Sequence, residues 1–352
     1  MIKTAVLGGG SWGTALAREL ALNKHDTTMY IRDESQLNEL IETKTNKKYL
    51  PEVVLPDNLK YTSDIKEAIK AVEFLILAVP TNSVRKVLEN IKGLLNEDVI
   101  IINVAKGIEM DTLKRISEIV KEFFPKNKFV ALSGPTHAEE VAIDYPTTIV
   151  AASEDLDAAN MVQNLFMSST LRVYTNDDLI GVELAGALKN IIALANGVLV
   201  GLGYGDNSKA ALMTRGLAET TRLAIEMGAR PSTFLGLAGV GDIIVTCTSE
   251  HSRNRRCGKL IGEGKSVDEA VKEVGMVVEG IKTTKAAKEL SKKYAVDMPI
   301  ADALYEVIYN DKDPGEMADK LMLRKKRHES DEYFRSWGIW KGKEEETIRK
   351  KD

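Results

Sequence analysis

Apolar residues follow two different rhythms along this chain. Up to about residue 176 they gather in short runs rich in β-branched side chains: Thr4–Leu7, Thr27–Ile31, Phe74–Val79, Val99–Val104, Lys128–Leu132, Thr147–Ala152 and Leu171–Tyr174. These read as strands. Between them the spacing turns helical, as in Thr14–Asn23, Val84–Leu95 and Leu113–Phe124. Strand-helix alternation of this kind predicts a doubly wound α/β domain, its mainly parallel sheet covered on both faces. Beyond Asn176 the strand signal stops, and helical patterns follow, broken at Gly203, Pro231, Gly241 and Pro299. The expected division is therefore residues 1–177 and an all-helical 178–323, with Asn176 and Asp177 as turn formers and Asp178 capping a long helix. A third segment, 324–352, is dense in both charge signs yet carries Tyr333, Phe334, Trp337 and Trp340. It is either a solvated tail or one whose aromatic residues dock. No internal repeat is present.

Composition narrows the class. At 352 residues the chain fits two domains of roughly 100 to 200 residues each. Hydrophobic residues at 44% and charged residues at 28% give enough apolar surface for a core. A net charge of -4 argues against a nucleic-acid binder, whose footprint is normally strongly basic. Two cysteines, Cys247 and Cys257, cannot build a disulfide framework and suit a reducing cytoplasm. The N-terminus runs straight into a strand and a glycine turn, so it reads as mature structure and not as a secretory signal. The apolar run that comes nearest to a membrane span, Ile191–Leu202, stops short of roughly 18 residues, which predicts a soluble protein.

Chemistry first shows in Gly8-Gly9-Gly10-Ser11-Trp12-Gly13, a G-x-G-x-x-G between a strand and a helix. Gly8 permits the tight turn, Gly10 lets backbone approach a pyrophosphate, and Gly13 allows the helix to pack closely on the strand. In this context the motif predicts a Rossmann-type dinucleotide site. At the end of the second strand the chain reads Tyr30-Ile31-Arg32-Asp33. Arg32 is placed to meet a 2'-phosphate, which points to NADPH, while Asp33 beside it keeps NADH possible. Three more segments, Ala78–Asn82, Asn103–Gly107 and Ser133–Glu139, end strands where the ligand crevice of such a sheet lies. Lys106 stands between small neighbours that let a ligand approach. Thr136 with Glu139 also fits a helix capping box, which leaves a purely structural role open.

The helical half offers the chemical group. Leu179–Leu194 is apolar almost all round, so it belongs in a core, yet it contains Lys189 and Asn190, with Asn196 on the face of Lys189. A buried lysine finds its charged form destabilised, which eases proton release to a developing alkoxide; the alternative is a lysine paired with an acid purely for structure. Further on stand Gly239-Val240-Gly241-Asp242, Thr246 and His251-Ser252-Arg253-Asn254-Arg255-Arg256. Ser252 looks like an N-cap, and three arginines would then crowd a helix N-terminus, where the macrodipole favours anions. A phosphate held there explains the arrangement; a solvated basic face is the alternative. The four histidines are scattered and no Cys-x-x-Cys or His-Glu-x-x-His occurs, so no metal site is expected.

Taken in order, Gly8–Gly13, Val104–Gly107, Leu132–Pro135, Gly186–Asn190, Gly239–Asp242 and Ser252–Asn254 resemble the motifs of the bacterial NAD(P)-dependent glycerol-3-phosphate dehydrogenases, over about Ile2 to Leu323. The resemblance implies reduction of dihydroxyacetone phosphate to sn-glycerol 3-phosphate for phospholipid synthesis, in a cytoplasmic homodimer. It implies Lys189 as the proton donor, with Lys106 and Asp242 orienting it or balancing its charge. It implies Lys106, Gly134, Thr136, Asn190, Asp242, Ser252, Arg253 and Asn254 around the substrate. Around the cofactor it implies Ser11, Trp12, Arg32, Tyr49, Lys106, Ala138, Arg253, Val277 and Glu279. A ketopantoate reductase would not need the arginine-rich segment, and a dinucleotide-sensing module would not need Lys189.

Overall fold

A computed structural model describes residues 1–326 and Glu329. Tyr333, Phe334, Trp337 and Trp340, and with them the expectation about the tail, lie outside the described residues.

The strands are β1 (Lys3–Leu7), β2 (Asp26–Tyr30), β3 (Thr45–Asn46), β4 (Leu50–Val54), β5 (Lys60–Thr62), β6 (Phe74–Leu77), β7 (Ile100–Asn103), β8 (Phe129–Ser133), β9 (Thr147–Ala152) and β10 (Leu171–Asn176). With them run helices α1 (Ser11–Leu22), α2 (Glu34–Thr43), α3 (Ile65–Ala68), α4 (Thr81–Asn90), α5 (Ile116–Phe123), α6 (Ala138–Ala142) and α7 (Leu156–Phe166). Eight strands form one sheet in the order β5-β2-β1-β6-β7-β8-β9-β10, and β3 pairs with β4 in a separate hairpin. Neighbours in the large sheet are parallel except for β8 and β9, which run antiparallel, Ala131 opposite Ala152, so the sheet is mainly parallel as expected.

Alternation along each strand divides the core. Val6, Ile76 and Ile102 face a cluster filled by Leu16 and Leu20 of α1 and Val162 and Phe166 of α7. Leu7, Leu75 and Ile101 face the other side, against Ala68 of α3, Val84 and Leu88 of α4 and Ile119 of α5. Leu7 is in register with both Tyr30 and Leu77, so the carboxyl ends of β2, β1 and β6 form one edge. The chain reverses its order between β1 and β6, which makes this edge the crevice of the fold.

Several boundaries differ from the periodicity. The helices α1 and α4 start at Ser11 and Thr81, three residues before their apolar spacing begins; the first turn of α1 belongs to the glycine motif and that of α4, Thr81-Asn82-Ser83, is polar. The strands β3, β4 and β5 were not expected; β3 and β5 have two and three residues, too few to show a period.

After β10 the chain is helical: α8 (Leu179–Gly201), α9 (Asp206–Glu226), α10 (Pro231–Phe234), a π-helix at Leu237–Gly241, α11 (Asp242–Thr248), α12 (Arg253–Gly262), α13 (Val267–Val274), α14 (Glu279–Tyr294), α15 (Pro299–Tyr309) and α16 (Pro314–Met322). The central helix is α8. It is longer than the Ile191–Leu202 run suggested, and its mean hydropathy of 1.5 would by length and composition suit a membrane span; so would Pro231–Thr248 at 1.3. Yet 83% of the apolar window of α8 is buried inside the protein. Its Glu183 accepts from Ser117 N and Oγ and from Arg115, at 2.6 to 2.8 Å, tying α8 to α5.

Glycines bring α12 against α8. A Cβ at Gly258 would stand 2.0 Å from the Leu194 carbonyl oxygen, and one at Gly197 would stand 2.1 Å from the Arg255 oxygen. Only glycine tolerates such backbone contact. The N-terminus of α12 is thereby held close to the middle of α8.

Candidate active site

The glycine loop follows β1 directly. Gly8 has φ +128°, and a Cβ there would lie 2.4 Å from the Ala78 carbonyl oxygen across the switch point; a Cβ at Gly13 would lie 2.2 Å from the Gly8 oxygen. A Cβ at Gly10 would meet nothing within 4 Å. Gly10 is also the N-cap of α1, without a side-chain cap and with no acid in the first turn. Amides left uncapped beside an open face fit a pyrophosphate. Two residues absent from the sequence reading clamp this loop: Gln36 Nε2 and Asn46 Nδ2 donate to the Gly9 carbonyl at 2.6 and 3.0 Å. Their signal is faint, because Asn46 sits in the two-residue strand β3. It also brings the hairpin, with half-buried Tyr49, beside the loop.

Arg32 is exposed just past β2. Its neighbour Asp33 is the N-cap of α2, its Oδ1 accepting from Ser35 N and Gln36 N at 2.9 and 3.2 Å. That carboxylate is committed to the helix.

Deeper in the crevice, Lys106 follows β7, Lys189 lies midway along α8, and Asp242 opens α11. Lys189 Nζ donates to Asp242 Oδ1 at 2.5 Å and to Thr246 Oγ1 at 2.7 Å. Lys106 Nζ donates to Asp242 Oδ2 at 2.7 Å and to the Gly134 carbonyl at 2.8 Å. One buried carboxylate thus joins two lysines. An ammonium has three N–H donors, and two on each lysine are used, so each retains one. Burial pushes Lys189 down to about 8; Lys106 adds to this, while Asp242 opposes it. The Thr246 hydroxyl donates to the Asp242 backbone carbonyl at 2.6 Å, which leaves its lone pairs to Lys189.

Around this array run further polar links. Asn190 Nδ2 donates to the Lys106 carbonyl at 3.3 Å, Asn254 Nδ2 donates to Asn190 Oδ1 at 3.0 Å, and Gly280 N donates to Asn254 Oδ1 at 2.8 Å. Ser252 caps α12, its Oγ accepting from Arg255 N at 3.3 Å.

Two family models match the chain: the NAD-dependent glycerol-3-phosphate dehydrogenase N-terminus over residues 3–159 and the C-terminus over residues 178–319. The chain belongs to this family. Among relatives of this dehydrogenase family, glycerol-3-phosphate dehydrogenase [NAD(P)+] of Lysinibacillus sphaericus is 55% identical over 335 residues, 94% of this chain and 99% of that one. A crystal structure of glycerol-3-phosphate dehydrogenase from Coxiella burnetii superposes with a TM-score of 0.88 at 35% identity, covering 91% of this chain and 98% of that one. A ketopantoate reductase from Ralstonia eutropha shares the fold at a TM-score of 0.59 and 13% identity, covering 92% of this chain and all of that one. The architecture is therefore shared by all three, and sequence identity sets the reductase apart.

In this dehydrogenase the remaining residues expected from sequence fall on both sides of the crevice. Trp12 packs on the sheet core, and buried Ala138 opens α6. Exposed Val277 and half-buried Glu279 lie at the start of α14. Burial raises the Glu279 carboxyl, against the pull of Lys282 and Arg253 and a hydrogen bond from the Thr81 backbone, so the two halves meet here. Two expectations are corrected. Thr136 and Glu139 form no capping box: α6 begins after His137, and Thr136 Oγ1 donates to the Gly134 carbonyl at 3.1 Å. Nor do three arginines await one anion, since Arg255 pairs with Glu250 at 2.7 Å; Arg253 and Arg256 are exposed. His137, unassigned from sequence, stacks obliquely on His251 at 5.8 Å, and burial with the nearby Lys189 ammonium lowers its pKa.

Proposed function

We propose that this dehydrogenase reduces the C2 ketone of dihydroxyacetone phosphate to sn-glycerol 3-phosphate, reversibly, with NADPH preferred and NADH accepted. One observation carries the reading: two lysines share the buried Asp242 carboxylate, and each retains an N–H for an incoming oxygen. The names borne by relatives at 55% identity support the substrate. We assign residues 1–177 to cofactor binding and 178–323 to substrate binding and catalysis. A cytoplasmic homodimer serving phospholipid synthesis completes the proposal; its cysteines, both free and buried, suit a reducing compartment.

The cofactor, when bound across Gly8–Gly13, supplies the hydride to the substrate carbon. As charge grows on the substrate oxygen, the Lys189 ammonium transfers its third proton to it; the N–H bond breaks as the O–H bond forms. The amine left behind keeps Thr246 and Asp242 as neighbours. In the oxidising direction that amine takes the proton back. Lys106 holds the other carboxylate oxygen and presents a second donor to the substrate. Ser252 and Arg253 at the start of α12 receive the phosphate, and a guanidinium beside helix amides suits a dianion. Asn190 and Asn254 brace that helix against α8, while Gly134 and Thr136 form the facing wall. Positioning contributes as much as proton transfer.

The test is an assay of the purified protein. NADPH should be consumed with dihydroxyacetone phosphate and far more slowly with unphosphorylated dihydroxyacetone. No consumption overturns the activity, and comparable kcat/KM for the two substrates overturns the phosphate site.

A further inference from the structure

The geometry points to Asp178 as a positioning residue for the Lys189–Asp242 pair. This inference rests on the assignment of Lys189 as proton donor.

Asp178 is 5% exposed and lies between β10 and α8. One carboxylate oxygen does what the sequence led us to expect: Oδ1 accepts from Gly181 N at 2.9 Å and caps α8. The other does something the sequence does not suggest. Oδ2 accepts from Arg230 N at 2.8 Å and from Thr233 Oγ1 at 2.5 Å, both in the segment that forms α10. A single carboxylate therefore fastens the start of the Lys189 helix to a segment more than fifty residues later.

That segment leads directly to Asp242. From Thr233 the chain passes through Phe234, which is 2% exposed, into the π-helix, whose last residue precedes Asp242. The π-helix sits directly on the backbone of α10: a Cβ at Gly239 would lie 2.1 Å from the Phe234 oxygen. Within it, Gly241 N donates to the Gly236 oxygen at 3.2 Å. With backbone in contact and no side chain between, α10, the π-helix and the start of α11 move together. π-helical turns recur where a functional residue is re-aimed, and this one delivers Asp242 to Lys189. Asp178 thus sets how the α10–α11 unit sits against α8, at one end of the unit, and the Lys189–Asp242 bond reads that setting at the other.

An asparagine at 178 can keep its oxygen on Gly181 N, but its NH2 group then faces the Arg230 N–H, a donor against a donor, while the Thr233 hydroxyl can turn to accept. Asp178→Asn therefore retains the cap and loses the Arg230 arm of the bridge. Thr233→Val removes one arm of the bridge without touching the cap, and Thr233→Ser restores it. The experiment measures kcat, its pH profile and the KM for NADPH in the three variants and in wild type. Asp178→Asn and Thr233→Val should lower kcat by roughly tenfold, as displacement of a reacting group by a fraction of an ångström does. They should also move the alkaline limb of the kcat profile downward, because a carboxylate further from Lys189 favours its ammonium less. The KM for NADPH should stay unchanged, and Thr233→Ser should behave as wild type. If the first two variants lose melting temperature but keep the wild-type profile, or if Thr233→Ser fails like Thr233→Val, Asp178 is structural only. An inactive wild type would instead remove the function on which this inference rests.

Discussion

Lys189 and Asp242 lie 53 residues apart in the chain, yet their charged groups stand 2.5 Å from each other. Both are nearly sealed from water, with side chains 8% and 1% exposed. Burying such a pair has a desolvation cost that its own attraction often fails to offset. Its presence in the crevice is better explained by chemistry than by stability, because burial pushes the lysine down to about 8, within reach of a working proton donor and acceptor.

That shift sets the pH dependence. Reduction needs the ammonium form of Lys189, so kcat for ketone reduction should fall as pH rises through about 8. Oxidation of glycerol 3-phosphate needs the amine, and its kcat should rise through the same region. Opposite limbs measured under saturating substrates check this. A reduction profile that stays flat into the ordinary lysine range, about 10.4, would mean that Lys189 is not the donor.

Lys189→Met should cost kcat roughly 100-fold or more, the scale of general acid catalysis. The variant should still fold, since Lys106 continues to pair with Asp242 at 2.7 Å and no carboxylate is left unpartnered. NADPH binding, followed by fluorescence titration, should survive. Near-normal turnover in a folded variant would transfer the proton to another group.

Cofactor preference rests on Arg32. Because Asp33 is occupied in capping α2, little opposes a 2'-phosphate at the exposed guanidinium, and NADPH should give the higher kcat/KM. Arg32→Ala should lose efficiency with NADPH by roughly tenfold or more, the worth of a charge-assisted hydrogen bond, and change little with NADH. Equal losses with both cofactors would show that Arg32 does not read the 2'-phosphate.

Gly258→Ala is a test from outside the crevice. Its Cβ would collide with the Leu194 backbone, so α12 must back away from α8, destabilising the protein by about 1 to 3 kcal/mol. Ser252 and Arg253 begin that helix, and the KM for dihydroxyacetone phosphate should rise with the loss of melting temperature. A variant with wild-type stability and KM would mean that the helix contact does not position the phosphate site.

Much of this was legible in the residues alone, and for one reason: local rules leave local traces. Short unbroken apolar runs mark β1, β6 and β7, and the glycines at 8, 10 and 13 mark a turn whose constraints act within a few residues and the adjoining strand. Asp178 and Ser252 announce themselves as caps because a cap bonds to amides only three residues on. Tertiary structure decided the rest. No periodicity places Lys106 on a carboxylate 136 residues later, or gives Glu250 to Arg255 in place of a bound anion. Nor does it assign the second oxygen of Asp178 to Thr233, 55 residues away. Such contacts exist only once α8 is buried between the sheet and α12, where desolvated polar groups must find whatever partner the packing brings within reach.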